Sequence, residues 1–215
     1  MTSTTQHLPD LSVERRLLRS RPGPLCALDE VGRGALAGPV LVGAVLIAAD
    51  YGPAPVGIRD SKLLTPSTRE RLRPEIEQWV SAWGVGQASA SEIDRHGIIG
   101  ALRLAALRAI SSLGNVPGIV LLDGNHDWLS SNDSACPEVV TMVKADLQCT
   151  SVAAASVLAK VRRDELMRRL SKRHPVYDWE HNKGYASPKH VEALTTHGVS
   201  VQHRRSWQLP GIRQD

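Results

Sequence analysis

The 215-residue chain contains no phenylalanine, and aromatic residues make up only 4% of it. This scarcity argues against a β-sandwich that depends on aromatic cross-strand pairs. The core must be built from Leu, Val, Ile and Ala, which suits a parallel or mixed sheet covered by helices. The composition therefore favours an α/β fold.

Cysteine is also sparse. Cys26, Cys136 and Cys149 are odd in number and match no zinc-binding spacing. We therefore expect reduced thiols in a cytoplasmic protein, with Cys26 acting as a small buried hydrophobe.

No apolar run is long enough to cross a bilayer. The longest, 40–49, is about half the length that a membrane helix needs. The polar first residues do not resemble a signal peptide. We expect a soluble, cytoplasmic protein without a membrane partner, whose net charge of +4 leans weakly towards polyanions.

The chain divides into three predicted segments. Residues 1–24 are a polar, Arg-rich tail or a single surface helix, 25–173 are the main domain, and 174–215 are a helical and loop extension packed on it. Apolar runs predict strands at 25–29, 39–49, 83–88, 118–122 and 138–143. Helices are predicted at 66–80, at 91–113 with a break at Gly97, at 150–172 and at 188–195, with Ser91 and either Thr150 or Ser151 as N-caps. This order predicts a mixed sheet with helices on both faces.

Acidic residues follow three of the predicted strands. They are Asp29 with Glu30, then Asp123, and Asp146 shortly after the last strand. If these strand ends lie together, four carboxylates converge and repel unless cations lie between them. Such an all-oxygen site suits Mg²⁺ or Mn²⁺.

A plainer interpretation is that each Asp starts a turn. Taken alone, Asp123 before Gly124 is better explained in that way. The pair Asp29 and Glu30 is harder to explain, because two acids beside a buried strand are costly without a partner. Strand alternation sends these two side chains to opposite sides, so Glu30 joins the same site only through a bend or its longer arm.

The glycine turn after Glu30 has two interpretations. The segment 32–38 resembles a dinucleotide fingerprint, but its third glycine comes one position late and a strand follows in place of a helix. Alternatively, the backbone N–H groups of the turn and Arg33 approach a sugar-phosphate backbone closely.

Together these segments resemble bacterial ribonuclease HII, the type 2 ribonuclease H. The matching segments occur in the order of that family: Leu28-Asp29-Glu30-Val31-Gly32-Arg33-Gly34 with 38–40, Asp60-Ser61-Lys62-Leu63-Leu64, Leu122-Asp123-Gly124-Asn125, Lys144-Ala145-Asp146, the segment 151–164, Lys183-Gly184-Tyr185, and His203-Arg204-Arg205-Ser206-Trp207. The departures are mild: Val31 stands where Ala is usual, Trp207 where Phe is usual, and Asn182 where His is frequent.

The resemblance implies a ribonuclease H-like mixed central sheet flanked by helices, with a C-terminal helical extension. It implies that Asp29, Glu30, Asp123 and Asp146 are catalytic and hold two divalent ions, Mg²⁺ or Mn²⁺. The substrates would be RNA/DNA hybrids and DNA containing ribonucleotides, cut to leave a 5′-phosphate and a 3′-hydroxyl. The family also suggests a monomer.

The resemblance also assigns substrate contacts. Gly32, Arg33 and Gly34 would recognise the ribose 2′-hydroxyl, and Tyr185 would stack on the neighbouring deoxyribose. Without the resemblance, Tyr185 would be a half-buried core residue. Lys62 is either a phosphate contact or a solvated lysine.

Other assignments stay open at this point. The basic half of the helix at 150–172 is either a phosphate track or a solvated face. His203 is either a supporting residue of the site or a packing residue of the extension, and His190 offers no metal-binding spacing. The rival functions are another two-metal nuclease of the same fold, such as a junction resolvase, and a binding module with an inactive metal site.

Overall fold

Five strands form one mixed sheet in the order β3-β2-β1-β4-β5. The computed structural model describes residues 8–130 and 137–212, so Cys136 lies outside the described residues. The strands are β1 Leu25–Val31, β2 Val40–Ile47, β3 Ala82–Ala88, β4 Ile119–Asp123 and β5 Glu138–Met142. All five predicted strands are confirmed.

The sheet is antiparallel on one side and parallel on the other. Strands β1, β2 and β3 pair as antiparallel neighbours, whereas β4 and β5 run parallel to β1. The carboxyl ends of β1, β4 and β5 therefore lie at one edge of the sheet, which is where ligands collect in open α/β sheets.

The described residues form seven α-helices and two short 3-10 turns. They are α1 Ser12–Ser20, α2 Pro66–Trp79, α3 Ala90–Ser111, α4 Ala145–Gln148, α5 Thr150–Arg173, α6 Trp179–Asn182 and α7 Pro188–His197, with 3-10 turns at Ser61–Leu63 and Pro175–Tyr177. None of these helices combines the length and apolar character of a membrane span.

The prediction of Ser91 as the N-cap of α3 was wrong. Ser89 is the N-cap, and it forms a capping box with Glu92, whose side chain accepts from the Ser89 backbone. Ser91 instead lies inside the first turn of the helix. The predicted break at Gly97 is confirmed, because Gly97 has non-helical angles of φ 68° and ψ 168°.

The prediction that Thr150 or Ser151 caps α5 was also wrong. The N-cap is Cys149, and its side chain makes no capping hydrogen bond. The cap comes from α1 instead: Glu14 Oε1 accepts from the Ser151 backbone N–H at 2.8 Å and from its hydroxyl at 2.7 Å. Glu14 is fully buried, so α1 is attached to the main fold through this contact.

Each face of the sheet has its own apolar core. Leu25 and Ala27 of β1 pack with α2 and α5 on one face, while Cys26 and Leu28 pack with α3 on the other. The run of small residues at 153–155 in α5 is fully buried against the sheet. As predicted, Cys26 is a free, buried thiol, and Cys149 is as well.

A third apolar cluster forms the extension. It joins Met167 and Leu170 at the end of α5 to Trp179 and Leu194. The extension returns to the glycine turn through an antiparallel bridge between Ala37 and His203. The extension is therefore in contact with the loop that leaves β1.

Candidate active site at the strand ends

Asp29 and Asp123 lie beside each other because β1 and β4 pair in parallel. Leu28 pairs with Leu122, so the next residue of each strand is a carboxylate. Alternation along the strands turns both acids towards the face that carries α5. There Asp29 is only 4% exposed, and the side chain of Ser156 partly opposes the rise that burial causes in its pKa.

Glu30 leaves β1 on the opposite side but reaches the same cleft. β1 ends at Val31, and Glu30 and Asp29 both line a cavity of about 470 Å³ at this edge of the sheet. The Glu30 carboxylate lies 3.5 Å from the guanidinium of Arg33. Because β1 still pairs with Val42 at Glu30, the longer arm of Glu30, and not a bend of the chain at this residue, brings it to the cleft.

Asp146 reaches the site from α4, a helix that the sequence patterns do not predict. Lys144 precedes this helix in the left-handed region, with φ 56°. The backbone N–H of Ala145 donates to Asp123 Oδ1 at 2.7 Å. This bond ties the start of α4 to the end of β4 and places Asp146 next to Asp123.

Lys62 is the ammonium group between these acids. Its Nζ lies 3.6 Å from Asp146 Oδ2 and 3.7 Å from Asp60 Oδ1. Burial lowers the pKa of Lys62, but Asp60, Asp29 and Asp146 outweigh that effect and raise it. Lys62 therefore partly compensates the negative charge of the cleft, while its side chain stays 73% exposed.

The acids are held together at an electrostatic cost. Burial is the largest cause that raises the pKa of Asp29, and repulsion from Glu30 and Asp123 raises it further. Burial and Asp123 also raise the pKa of Glu30, although Arg33 opposes them. The pKa of Asp146 is raised by burial and by Asp123. One lysine does not relieve this repulsion, so the site favours additional cations.

The chemistry of the donor set fits divalent metal ions. Carboxylate oxygens are the ligands that hard cations prefer. Among the described residues, no three His, Cys, Asp or Glu side chains form a ready-made metal cage. Glu30 instead faces Arg33 and Asp146 faces Lys62, so ion binding requires these side chains to exchange one cation for another.

Gly32 and Gly34 belong to the turn, and the structure accounts for these two glycines in different ways. Gly32 has φ +87°, and a Cβ there would lie 2.1 Å from Arg163 Nε. A Cβ on Gly34 would meet no atom within 4 Å in the part of the chain that the structure describes, and Gly34 lines the cleft. The fold therefore requires glycine at position 32, while the space beside Gly34 is open to a ligand.

Two buried arginines support this turn, and neither is in direct contact with an acidic side chain of the described residues. Arg204 donates to the carbonyl oxygens of Gly32, Arg33 and Gly38 at 2.6 to 3.2 Å. Arg163 donates to the carbonyls at 37, 39 and 183, and its guanidinium lies 5.3 Å from the ring centroid of Tyr185. These arginines hold the turn next to Tyr185, which is 38% exposed and lines the cleft.

The cleft brings together most of the residues selected from the sequence. Asp29, Glu30, the 31–34 turn, Lys62 and Tyr185 line it. Asp123 and Asp146 are coupled to it electrostatically.

Sequence reasoning did not assign roles at the site to four of its residues. Asp60 is a fifth carboxylate, the Ser156 side chain influences the pKa of Asp29, Lys160 lines the cleft, and Arg204 binds carbonyl oxygens of the turn. The available signal was their position inside the matching segments, since all four lie within 60–64, 151–164 or 203–207.

Comparisons with known proteins agree with this geometry. The family model described as Ribonuclease HII matches residues 27–209. A ribonuclease HII of Streptomyces coelicolor is 46% identical over 200 residues, which cover 93% of this chain and 83% of the relative.

Solved structures show the same fold. The ribonuclease H2 of Pyrococcus horikoshii OT3 has a TM-score of 0.70 and 25% identity, over 87% of this chain and 95% of that one. Bst-RNase HIII in complex with Mn²⁺ has a TM-score of 0.71 at 22% identity, over 98% of this chain and 74% of that one, which shows the fold alone. The sheet of this chain is therefore of the ribonuclease H type. Because the family model covers residues 27–209 and the Streptomyces coelicolor relative is 46% identical over 93% of this chain, the chain belongs to the ribonuclease HII family and is a nuclease of the ribonuclease H type.

Proposed function

We propose that this protein hydrolyses the RNA strand of RNA/DNA hybrids and also cuts at single ribonucleotides embedded in duplex DNA. The products would carry 5′-phosphate and 3′-hydroxyl ends. One observation carries the proposal: Asp29 and Glu30 line the same cleft as a glycine turn with open space beside Gly34. Phosphodiester hydrolysis and recognition of the ribose would thus take place within one site.

Asp29, Glu30, Asp123 and Asp146 would hold two divalent ions, Mg²⁺ or Mn²⁺. The raised pKa values of three of these acids support the assignment, because crowded carboxylates bind cations to relieve repulsion. The Mn²⁺ bound by Bst-RNase HIII, a protein of the same fold, is consistent with it. When bound, such ions supply an activated water and stabilise the leaving 3′ oxygen.

The turn would select the sugar. The backbone at Gly34 can approach a ribose closely, because a Cβ is absent and the neighbouring space is open. The 2′-hydroxyl is the group that distinguishes RNA from DNA, and backbone groups can bind it as donor and acceptor. Tyr185, across the same cleft, offers an exposed ring for stacking on the next deoxyribose.

Two positively charged side chains, Arg33 and Lys62, would contact phosphate groups of the substrate. Arg33 is half-exposed and paired only loosely with Glu30, and Lys62 is mostly exposed at the mouth of the cleft. Both would transfer from a carboxylate to the substrate backbone when ions occupy the acids. Such contacts add affinity that falls with salt concentration and is independent of sequence.

The deciding experiment compares three labelled duplexes with each metal: all-DNA, DNA with one ribonucleotide, and a uniform RNA/DNA hybrid. We expect cleavage of the second and third only, with a 5′-phosphate on the downstream fragment. The matched variant Asp123→Asn keeps the oxygen that accepts from Ala145 but removes the charge, so it should bind the hybrid without cutting it. Equal cleavage of all three duplexes would favour a junction resolvase or another general nuclease of this fold.

A further inference from the structure

Two histidines form a buried pair behind Tyr185. His190 and His203 are 0% and 1% exposed, and their Nε2 atoms lie 3.1 Å apart. The indole N–H of Trp179 also donates to His190 Nε2, at 3.1 Å. Neither histidine lines the cleft, and no acidic side chain hydrogen-bonds to either of them among the described residues.

The hydrogen bonds fix which ring nitrogen carries each proton. The backbone N–H of Ser200 points at His203 Nδ1 at 2.9 Å, so that nitrogen is an acceptor. His203 must then be protonated at Nε2, and it donates to His190 Nε2. His190 in turn carries its proton on Nδ1 and donates to the backbone carbonyl of Tyr185 at 2.9 Å.

The pair connects two parts of the cleft wall. His203 bridges to Ala37 in the turn that follows β1, and the backbone N–H of Arg204 donates to Leu36 at 3.0 Å. His190 holds the carbonyl of Tyr185. The His203 ring is therefore hydrogen-bonded through His190 to Tyr185, while the backbone on either side of His203 is hydrogen-bonded to the segment that holds the glycine turn.

We propose that His190 and His203 are positioning residues that set the distance between Tyr185 and the glycine turn, and thereby determine the preference for a single embedded ribonucleotide. This inference rests on the proposed function of the cleft. A uniform hybrid offers a 2′-hydroxyl at every nucleotide of the strand, so it tolerates a displaced Tyr185. A single ribonucleotide offers one register only, and misplacing a contact by about 1 Å can cost about a hundredfold in rate.

Matched substitutions test the two ring nitrogens of each histidine separately. His190→Asn keeps an amide N–H at the Nδ1 position, and with it the bond to Tyr185, but loses the acceptor for Trp179 and His203. His190→Gln keeps an acceptor at the Nε2 position and loses the bond to Tyr185. Each variant loses part of the hydrogen-bond network around His190. If His190 only stabilised the fold, the two variants would therefore show similar decreases in Tm.

The measured quantity is kcat/KM on the single-ribonucleotide duplex divided by kcat/KM on the uniform hybrid. We expect His190→Gln to lower this ratio about tenfold, and His190→Asn to keep it within about twofold of the native protein. Equal ratios for the two variants would overturn the inference, whatever their Tm. The native protein is the control for the proposed function. If it also cut the all-DNA duplex, the proposed function would be wrong, and this result would not depend on the variants.

A second pair covers the case in which His190 variants do not fold. His203→Gln can still donate to His190, whereas His203→Asn can only accept from Ser200 and breaks the pair. The lower ratio should appear in His203→Asn. Nitrogen-15 shifts of the native imidazoles add a test that is independent of activity: His190 must be the Nδ1–H tautomer and His203 the Nε2–H tautomer, and the reverse assignment would contradict the hydrogen-bond chain.

Discussion

The guanidinium of Arg204 is fully buried and donates to the carbonyl oxygen of Gly32 at 2.6 Å. These residues are 172 positions apart in the chain, yet they are in direct contact beside the carboxylate centre. The carbonyls that Arg204 binds have no regular strand or helix partner, because they belong to a turn. A planar guanidinium is suited to bind several such carbonyls at once.

Arg204→Lys should therefore destabilise the protein although it keeps the charge. An ammonium group cannot reach all three carbonyls, and each buried acceptor left unpaired costs about 1–3 kcal/mol. We expect a loss of about 2–4 kcal/mol in the free energy of unfolding, measured by urea denaturation. The control is Arg205→Lys, an exposed neighbour that should change stability by less than about 0.5 kcal/mol. Equal stability of both variants would show that the carbonyl contacts carry no energy.

Gly34→Ala should separate folding from substrate selection. The Cβ meets no atom within 4 Å, so the free energy of unfolding should stay within about 0.5 kcal/mol of the native value. The added methyl group occupies the space proposed for the ribose, so kcat/KM on a single-ribonucleotide duplex should fall about tenfold or more. Gly32→Ala should show the reverse order of effects, with the main loss in stability because of its φ and the overlap with Arg163. Unchanged kinetics for Gly34→Ala would remove this residue from the site.

Binding of divalent ions should be visible without any substrate. Mn²⁺ that binds the folded carboxylates raises Tm by mass action. Asp123→Asn should unfold at the same or a higher temperature than the native protein in chelator, because one repelling charge is gone. It should gain less Tm when Mn²⁺ is added. Asp94→Asn, a carboxylate that binds Ser206 outside the cleft, should gain as much as the native protein. Equal gains for all three proteins would place the ion elsewhere.

Glu14 makes a pH-dependent contribution to stability. Burial raises its pKa above 4.5, so the folded protein holds this proton more tightly than the unfolded chain does. The stabilisation is present below pH 4.5 and is lost as pH rises through the folded pKa. Glu14→Gln keeps an acceptor for Ser151 without the charge, so it should be at least as stable as the native protein at pH 7. Glu14→Ala removes the cap and should cost about 1–3 kcal/mol. A large loss in Glu14→Gln would mean that the buried anion itself stabilises α5.

The contribution of His203 to stability should have the opposite pH dependence from that of Glu14. Its pKa is lowered from 6.5 to about 4, first by burial and next by the neighbouring His190. The unfolded chain takes up this proton as pH falls below 6.5, so the associated stability is present above 6.5 and lost towards pH 4. The Tm advantage of the native protein over His203→Gln should therefore shrink between pH 7 and pH 5. A constant difference would show that His203 does not titrate in this way. The comparison with His203→Gln cancels the carboxylates, which shift in the other direction.

The sequence predicted the parts of the fold that depend on local pattern. Apolar runs such as 39–49 predicted the strands, because a buried strand has little freedom in composition. The S-x-x-E pattern of Ser89 and Glu92 was also present in the sequence, and choosing Ser91 was an error of interpretation. The cap on α5 could not be found in this way, since Glu14 is 137 residues away from Ser151.

The same limit applies at the candidate site. The carboxylates were found because acids beside apolar strands are unusual. Arg163 and Arg204 were not, because arginine is normally exposed and nothing local marks these two as buried. Their role depends on backbone carbonyls that only the folded turn presents.

The bridge between Ala37 and His203 sets an order of events during synthesis. All four carboxylates lie within the first 146 residues, so a nascent chain carries them before Arg204 has been made. Until position 204 leaves the ribosome, the glycine turn lacks the guanidinium that holds it, and Tyr185 lacks the histidine pair behind it. The proposed cation ligands are therefore encoded earlier in translation than the residues that support the proposed substrate-selecting turn. On this proposal, a chain that terminates near residue 200 would retain the four carboxylates and lose Arg204 and the histidine pair.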